Sequence, residues 1–288
     1  MTVPLPPDYW DWVRAAPVEL HDVRRRQWWA NEEGQALHSD ITQFTRSSPY
    51  QMHTRFEGKR GYVTFHRIIK ERDEWDHFEG LTRLLGSYLD NQRAALNYLA
   101  VQLAHRTILK NPAVADQSLP WNDQLHPEGI EFPLFNKRAK YLSVGAGKVI
   151  KLRDEYKAEI QAVQPYHGRY KGLWDLQELG VAYRHRIIHP IAVLPHRRLF
   201  QVMLDDEPVR KVEMTVYLDD GPIKNRAQVM DFVAPGVPDD QYEDLKPKIT
   251  VSIGIDDDLC RGRDCVEVIN RINRDVVAVV ERFERFFQ

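Results

Sequence analysis

The hydrophobic residues of this chain change their spacing near residue 190, and that change limits the folds the chain can adopt. Before this point apolar residues recur every three or four positions, which is typical of amphipathic helices. From Ile191 to Asp256 they alternate with polar residues, as in Val212–Leu218. Alternation predicts antiparallel strands with one wet face. Because helices and strands occupy separate stretches, the pattern predicts an α+β fold.

The helical part is expected to form a core of four to five helices. Helical spacing is found in Val18–Phe44, Glu79–Lys110, Val149–Val163, Leu173–His189 and, after the strands, Cys265–Phe287. A β-hairpin is expected between the first two helices. Its strands would be Tyr50–Phe56 and Tyr62–Ile69, which are rich in β-branched and aromatic residues and are joined by a glycine-bearing turn.

These elements predict three segments that together form one integrated unit. The helical core with its hairpin covers residues 1–190, the antiparallel β segment covers 191–262, and the final helix, 263–288, packs back. Residues 111–142 are rich in proline and are expected to be irregular. Within them, Glu131–Phe135 is expected to be an apolar anchor that ties the loop to the core.

Composition excludes some classes of function and leaves others open. The 288 residues are 43% hydrophobic and carry a formal net charge of −2, so no overall field draws the chain to nucleic acid or to a membrane. No apolar stretch approaches the ~18 residues of a membrane span, and the N-terminus does not resemble a signal peptide. We therefore expect a cytoplasmic protein that contacts no membrane. Cys260 and Cys265 are expected to be free thiols.

Two polar clusters interrupt the apolar helices. The first is Asp90-Asn91-Gln92-Arg93 with Asn97, and the second is Arg184-His185-Arg186 with His189. Charged groups on core helices are costly unless they are paired or used. We therefore predict that the clusters meet, either as a structural knot or as a functional site. In a knot, Asp90→Ala would destabilise the fold by several kcal/mol, since breaking one side of a buried pair typically costs ~3–5 kcal/mol.

The second cluster resembles the signature of HEPN-type ribonucleases and toxins, an arginine followed after four to six residues by a histidine. Several Arg–His pairs in this chain have that spacing, and only Arg184 and His189 lie near the end of a convincing later helix. The resemblance implies a metal-free site at a homodimer interface, where a ribose 2′-hydroxyl attacks the adjacent phosphate. His189 would move protons and Arg184 would steady the phosphate charge.

A second resemblance covers residues 18 to 190. The motifs are Asp90–Leu99, Glu131–Phe135, Gln164-Pro165-Tyr166 and His185-Arg186. In this order they resemble an uncharacterised family of bacterial and phage proteins with H-N-L-R-S-A-L-D-H-L, F-P-I-F, Q-P-Y and D-K-H-R. Asp90 and Asn97 stand where that pattern has His and Asp. This resemblance implies an order of structural elements and no activity.

Two other kinds of site remain open. His185 and His189 share a helical face at the i, i+4 spacing, but no H-E-x-x-H pattern accompanies them, so we expect no metal. Nucleic acid could also be bound without catalysis. Candidate basic and aromatic surfaces are Arg24-Arg25-Arg26 with Trp28-Trp29, and Lys59-Arg60 with Arg67 and Lys70. The three arginines by themselves favour an ordinary solvated helix face.

The leading hypothesis is a HEPN-like protein of a defence or toxin type that cleaves or binds RNA as a homodimer. Arg184 and His189 would be catalytic, and the supporting residues would be His185, Arg186, Asn91, Arg93, Asp90 and Asn97. No nucleotide-binding or nucleophile-elbow motif is present, so no cofactor is expected. The alternative is a non-catalytic interaction or structural module whose polar cluster sets the helix register.

Overall fold

A computed structural model shows that the chain has the α+β fold predicted from its hydrophobic pattern. It describes residues 9–47, 50–67, 71–110, 130–185, 190–193, 201–205, 207–217, 226, 228–248, 252–255 and 263–288. Most of the long loop and the last turn of the predicted fourth helix therefore lie outside the described residues.

The helices of the described chain largely follow the predicted ones. They are α1 Tyr9–Ala15, α2 His21–Arg46, α3 Glu71–Lys110, α4 138–148, α5 Asp154–Ala162, α6 Lys171–His185 and α7 Cys265–Glu284. Helix α3 begins about two turns before the predicted start, because its first turns are too polar to show an apolar stripe. Among the described residues, no helix combines the length and the apolarity that crossing a membrane requires.

Two boundaries around the long loop differ from the prediction. Helix α4 begins within the stretch that was expected to be irregular, and its middle is the π-helical turn Tyr141–Gly145. Helix α5 begins later than predicted, because the backbone leaves the helical conformation at Val149, with φ −122° and ψ 14°. Periodicity alone does not reveal a break of this kind, since apolar side chains continue on both sides of it.

Helix α7 illustrates why these residues form these elements. Asp264 caps its start, where the side chain accepts a hydrogen bond from the backbone N–H of Glu267 at 2.9 Å. The apolar residues that follow at helical spacing are all buried, as predicted: Ile269, Ile272, Val276, Val279, Val280, Phe283 and Phe287.

The strands pair antiparallel in three sheets. Their bounds are β1 Tyr50–Glu57, β2 Arg60–Arg67, β3 Pro190–Val193, β4 Gln201–Leu204, β5 Glu207–Pro208, β6 Glu213–Val216, β7 Gln228–Val233, β8 Lys246–Lys248 and β9 Ser252–Ile255. The largest sheet has the order β1-β2-β7-β6, and the smaller ones are β3-β9 and β5-β4-β8. The predicted hairpin is confirmed, and it pairs with a strand from the later β segment.

Two glycines make the hairpin and its pairing possible. Gly58 lies in the turn with φ +56°, a conformation that side chains rarely adopt. Gly61 lies opposite Phe232, and a Cβ added at Gly61 would come within 2.5 Å of the phenyl Cζ. A larger residue at position 61 would therefore push β2 away from β7.

The chain divides into two compact units. The first contains Met1–Ala36, Leu84–Ile187 and Val268–Gln288, and the second contains Leu37–Arg83 and Ile188–Glu267. In the second unit, one face of the largest sheet is buried in a core that includes Val63, Phe65, Val202, Met230, Phe232, Tyr242 and Leu245. The opposite face is more exposed, because the odd-numbered positions of β1 are exposed in alternation with half-buried ones.

Candidate functional site

Asn91, a predicted supporting residue, joins α2 to α3. Its side-chain amide donates a hydrogen bond to Glu33 Oε2 at 2.9 Å, and its Oδ1 accepts one from Arg26 Nη1 at 2.9 Å. Ser87 donates to the other oxygen of Glu33. Asn91 is buried, and these partners satisfy both ends of its amide. The side chain therefore links the two helices by specific hydrogen bonds.

The neighbouring Gln92 joins α3 to α7, although the sequence did not single it out as a site residue. It is fully buried. Its Nε2 donates to Asn273 Oδ1 at 2.9 Å and to the Tyr88 hydroxyl at 3.3 Å. The Tyr88 hydroxyl in turn donates to the carbonyl of Ile269 at 2.6 Å. Two helices distant in sequence are thus joined through one polar network.

Arg93 and Asn97 hold the chain that enters from the long loop. Arg93 Nη2 lies 3.7 Å from Glu131 Oε2, and Glu131 also forms an ion pair with Lys148. Asn97 accepts a hydrogen bond from the backbone N–H of Phe132 at 3.2 Å. The side chain of Phe132 is completely buried. The predicted apolar anchor is therefore confirmed, and two residues of the first polar cluster hold it.

Gln164 strengthens the same anchor from the other side. Its Oε1 accepts from the backbone N–H of Phe135 at 3.1 Å, and its Nε2 donates to the carbonyl of Pro133 at 2.7 Å. Gln164 is fully buried. The motifs F-P-L-F and Q-P-Y, which lie about 30 residues apart, are thus brought together by backbone recognition.

The second polar cluster falls mostly outside the described side chains. Arg184 and His185 are the last two residues of α6. The described part of the structure includes neither their side chains nor Arg186 and His189. Whether they meet the first cluster stays a prediction. The predicted knot through Asp90 was wrong, because the Asp90 side chain is exposed, and an exposed carboxylate carries no burial cost that a partner must offset.

Neighbouring arginines of the run Arg24-Arg25-Arg26 on α2 have different environments. Arg24 is buried and pairs with Glu284, so the predicted solvated face was wrong for this residue. Burial lowers the pKa of Arg24, and the nearby charge of Glu281 opposes that shift. Arg25 is paired with Asp22 at 3.3 Å. Helical geometry turns successive side chains by about 100°, so a run of like residues cannot share one surface.

The exposed face of the β1-β2-β7-β6 sheet, called here the open face, brings together two histidines. The ring centres of His53 and His66 are 4.1 Å apart, and Thr64 Oγ1 lies 3.3 Å from His66 Nε2. Loss of solvation lowers the pKa of His66, and the positive charges of His53 and Arg226 lower it further. Both effects favour the neutral form of the His66 imidazole.

Tyrosines occupy the same face on both sides of β7. Tyr62 on β2 is opposite Asp231 on β7, which is opposite Thr215 on β6. Tyr217, just beyond β6, is 52% exposed and donates its hydroxyl hydrogen to the Asp231 carboxylate. That hydrogen bond raises the pKa of the Tyr217 phenol. The ring of Tyr217 is thus held at the surface by its own hydroxyl group.

Basic residues border these rings. The Arg55 guanidinium carbon lies 5.4 Å from the centre of the Tyr62 ring, and Arg55 also pairs with Glu57 at 3.0 Å. Arg60 is the first residue of β2, and its positive charge opposes the rise in the pKa of the Tyr217 phenol. The sequence had indicated a basic surface around Lys59-Arg60. It does not indicate Tyr217, because the position of that ring on the face depends on strand pairing over a long stretch of chain.

This arrangement can stack planar groups and attract anions. Aromatic rings supply stacking surfaces, arginines supply phosphate-binding forks, and His66 can gain charge when the pH falls. The described residues contain no group of three or more His, Cys, Asp or Glu side chains placed to hold a metal ion. His53 and His66 alone would offer two ligands, fewer than a stable zinc site uses.

Comparison of the chain with protein-family models, with curated proteins and with solved structures gives no match.

Proposed function

We propose that this protein binds single-stranded RNA on the open face of the β1-β2-β7-β6 sheet. The observation that carries the proposal is the pair Tyr62 and Tyr217, which present their rings on one face of an antiparallel sheet with Arg55 and Arg60 beside them. Unpaired bases stack on aromatic rings displayed in this manner, whereas the bases of a duplex are already stacked on each other.

Asp231 at the centre of the face does not oppose this proposal. Its carboxylate is 5% exposed and accepts the Tyr217 hydroxyl hydrogen bond. A buried carboxylate in such a bond acts mainly to orient the ring. Arg55, whose side chain is 72% exposed, and Arg60 supply the positive charge for a phosphate backbone that approaches the rings, and Glu57 and Glu213 are exposed acidic groups on the same face.

Removing either ring should weaken RNA binding. We expect Tyr62→Ala and Tyr217→Ala each to reduce affinity by about 1–3 kcal/mol, because each base–ring stack contributes that much. Tyr217→Phe is the matched control, since it keeps the ring and loses only the hydrogen bond to Asp231. The measurement is fluorescence anisotropy of a labelled single-stranded 12-mer RNA at fixed salt, with a duplex of the same sequence as competitor.

Thermal unfolding of each variant separates lost binding from lost folding. Alanine variants that remain folded and bind as tightly as the wild type would refute the proposal, as would a wild type that prefers the duplex. Running the recovered RNA on a denaturing gel tests the finer hypothesis of HEPN-like cleavage. That hypothesis rests on Arg184 and His189 from two copies of the chain, and cleavage that disappears in His189→Ala would support it.

RNA binding should strengthen as the pH falls from 8 to 6. The pKa of His66 is lowered in the free protein, and a phosphate bound nearby would raise it, so binding takes up a proton. A histidine with a lowered folded-state pKa also costs stability once the pH falls below its unfolded value. The check is anisotropy across this pH range, and the double variant His53→Gln/His66→Gln should show a flatter profile. An equally steep profile in that variant would assign the proton to another group.

The contacts of the first polar cluster support the alternative hypothesis, in which these residues set the register of the helices. Asn91, Gln92, Arg93 and Asn97 each contact a specific partner on another part of the first unit. Such contacts set the register of α3 against its neighbours without any chemistry. A register-setting cluster is compatible with RNA binding on the open face, because the two proposals concern different residues.

A further inference from the structure

Arg26 on α2 is held at the surface by two aromatic rings and one amide. Its guanidinium carbon lies 5.0 Å from the Trp29 ring centre and 5.6 Å from the Tyr98 ring centre. Trp29 is 42% exposed and Tyr98 is 37% exposed. The amide is that of Asn91, whose Oδ1 accepts a hydrogen bond from Arg26.

The hydrogen-bond network behind Arg26 fixes its orientation. Glu33 accepts from the amide nitrogen of Asn91, so the amide oxygen must point towards Arg26. Ser87 holds the other oxygen of Glu33. An arginine that is oriented before a ligand arrives loses less side-chain entropy on binding.

Arg26 differs from its neighbours Arg24 and Arg25, whose charges are each neutralised by a carboxylate. Arg24 pairs with Glu284 and Arg25 pairs with Asp22. Among the described residues, the contacts of Arg26 are the two rings and Asn91, and no carboxylate lies within ion-pair distance. The guanidinium has five N–H donors, and the Asn91 hydrogen bond uses one. The guanidinium of Arg26 can therefore bind an anion from solvent.

We propose that Arg26, Trp29 and Tyr98 form a binding site for a nucleoside phosphate, in which Arg26 binds the phosphate and an exposed ring stacks on the base. An arginine fork matches the geometry of phosphate oxygens, and exposed Trp and Tyr rings stack on any base. The nucleoside phosphate can be a free nucleotide or the phosphorylated end of an RNA chain. The site lies in the first unit and does not depend on RNA binding by the open face.

Calorimetric titration of the full chain with AMP, adenosine and inorganic phosphate tests the proposal. AMP should bind, and adenosine and phosphate alone should each bind at least about tenfold more weakly, because each lacks one of the two contacts. Arg26→Lys should lower AMP affinity by about 10- to 100-fold, since it keeps the charge and loses the planar fork. Trp29→Ala or Tyr98→Ala should lower it by roughly tenfold.

The matched control is Arg25→Lys, which changes the adjacent arginine that already pairs with Asp22 and should leave AMP binding unchanged. Equal losses in Arg25→Lys and Arg26→Lys would overturn the site, because they would indicate general charge attraction. Absence of AMP binding at millimolar concentration would also overturn it. A circular dichroism melt identifies any variant that fails to fold, and Trp29→Leu then replaces Trp29→Ala, since it also removes the ring but leaves more apolar volume in place.

A second arm distinguishes the two sources of the ligand. An 8-mer RNA with a 5′-phosphate is compared with the same RNA bearing a 5′-hydroxyl, in the wild type and in Tyr62→Ala/Tyr217→Ala. A preference for the phosphorylated RNA that persists in the tyrosine variant and disappears in Arg26→Lys assigns the site to RNA ends. AMP binding without that preference assigns it to free nucleotides. Either result stands whether or not the open face binds RNA.

Discussion

We expect Gly172→Ala to destabilise the folded chain by about 3 kcal/mol, the upper part of the range for overpacking a close contact. Gly172 is at the start of α6, where it touches the backbone of α7. An added Cβ would lie 2.5 Å from the carbonyl oxygen of Arg271 and 2.7 Å from its carbonyl carbon. Backbone atoms inside a helix cannot turn aside as a side chain can, so the two helices would have to separate.

That separation would also break a buried hydrogen bond. The backbone N–H of Gly172 donates to Asp275 Oδ2 at 2.7 Å. Burial raises the pKa of Asp275, and the Gly172 N–H opposes this rise, as does the charge of Arg274. Loss of this hydrogen bond would leave the buried Asp275 carboxylate with fewer partners, and that loss adds to the steric cost. The expected loss is therefore larger than one methyl group at an ordinary site would cause.

Gly180→Ala on the same helix is the matched control. Within the described part of the chain, a Cβ there would meet no heavy atom within 4 Å, and alanine is favoured over glycine in a helix by up to about 1 kcal/mol. Urea unfolding followed by circular dichroism should therefore show opposite shifts for the two variants. If both variants shifted the midpoint in the same direction by the same amount, the close approach of α6 and α7 at Gly172 would be wrong.

The parts of the fold that sequence could predict depend on local spacing. The apolar stripes of α2 and α7 were predictable because each buried side chain recurs every three or four residues on one element. The hairpin was predictable because its turn and its strands are adjacent in the chain. The anchor around Phe132 was predictable because an apolar run inside a polar loop has few other places to go.

The parts that sequence could not predict depend on distant pairing. Nothing local indicates that β2 pairs with β7 or that Tyr62 and Tyr217 share a face, since the register between remote strands is set by packing. The burial of Arg24 is of the same kind, because its partner Glu284 lies at the far end of the chain. The polar character of the first cluster was evident, but the identity of its partners required the packed helices.

The second large effect concerns Gln92 and Asn273, which form a buried pair between α3 and α7. Replacing either residue by leucine should cost about 1–3 kcal/mol, because the remaining amide loses its partner inside the core. Replacing both should cost clearly less than the sum, since no amide is then left unsatisfied. The Oε1 atom of Gln92 already has no hydrogen-bond partner in the described part of the chain, so the double variant also removes that penalty.

A double-mutant cycle by urea unfolding measures the coupling, with Asp90→Ala as the control on the same helix. Asp90 is exposed, so its removal should change the free energy of unfolding by no more than about 0.5 kcal/mol. Strictly additive losses for Gln92→Leu and Asn273→Leu would show that the two amides act independently, and the register-setting role of this cluster would then be lost. Strong coupling, together with a small effect of Asp90→Ala, would assign the register-setting role to the side of α3 that is buried against α7. On that side an amide that loses its partner has no access to water.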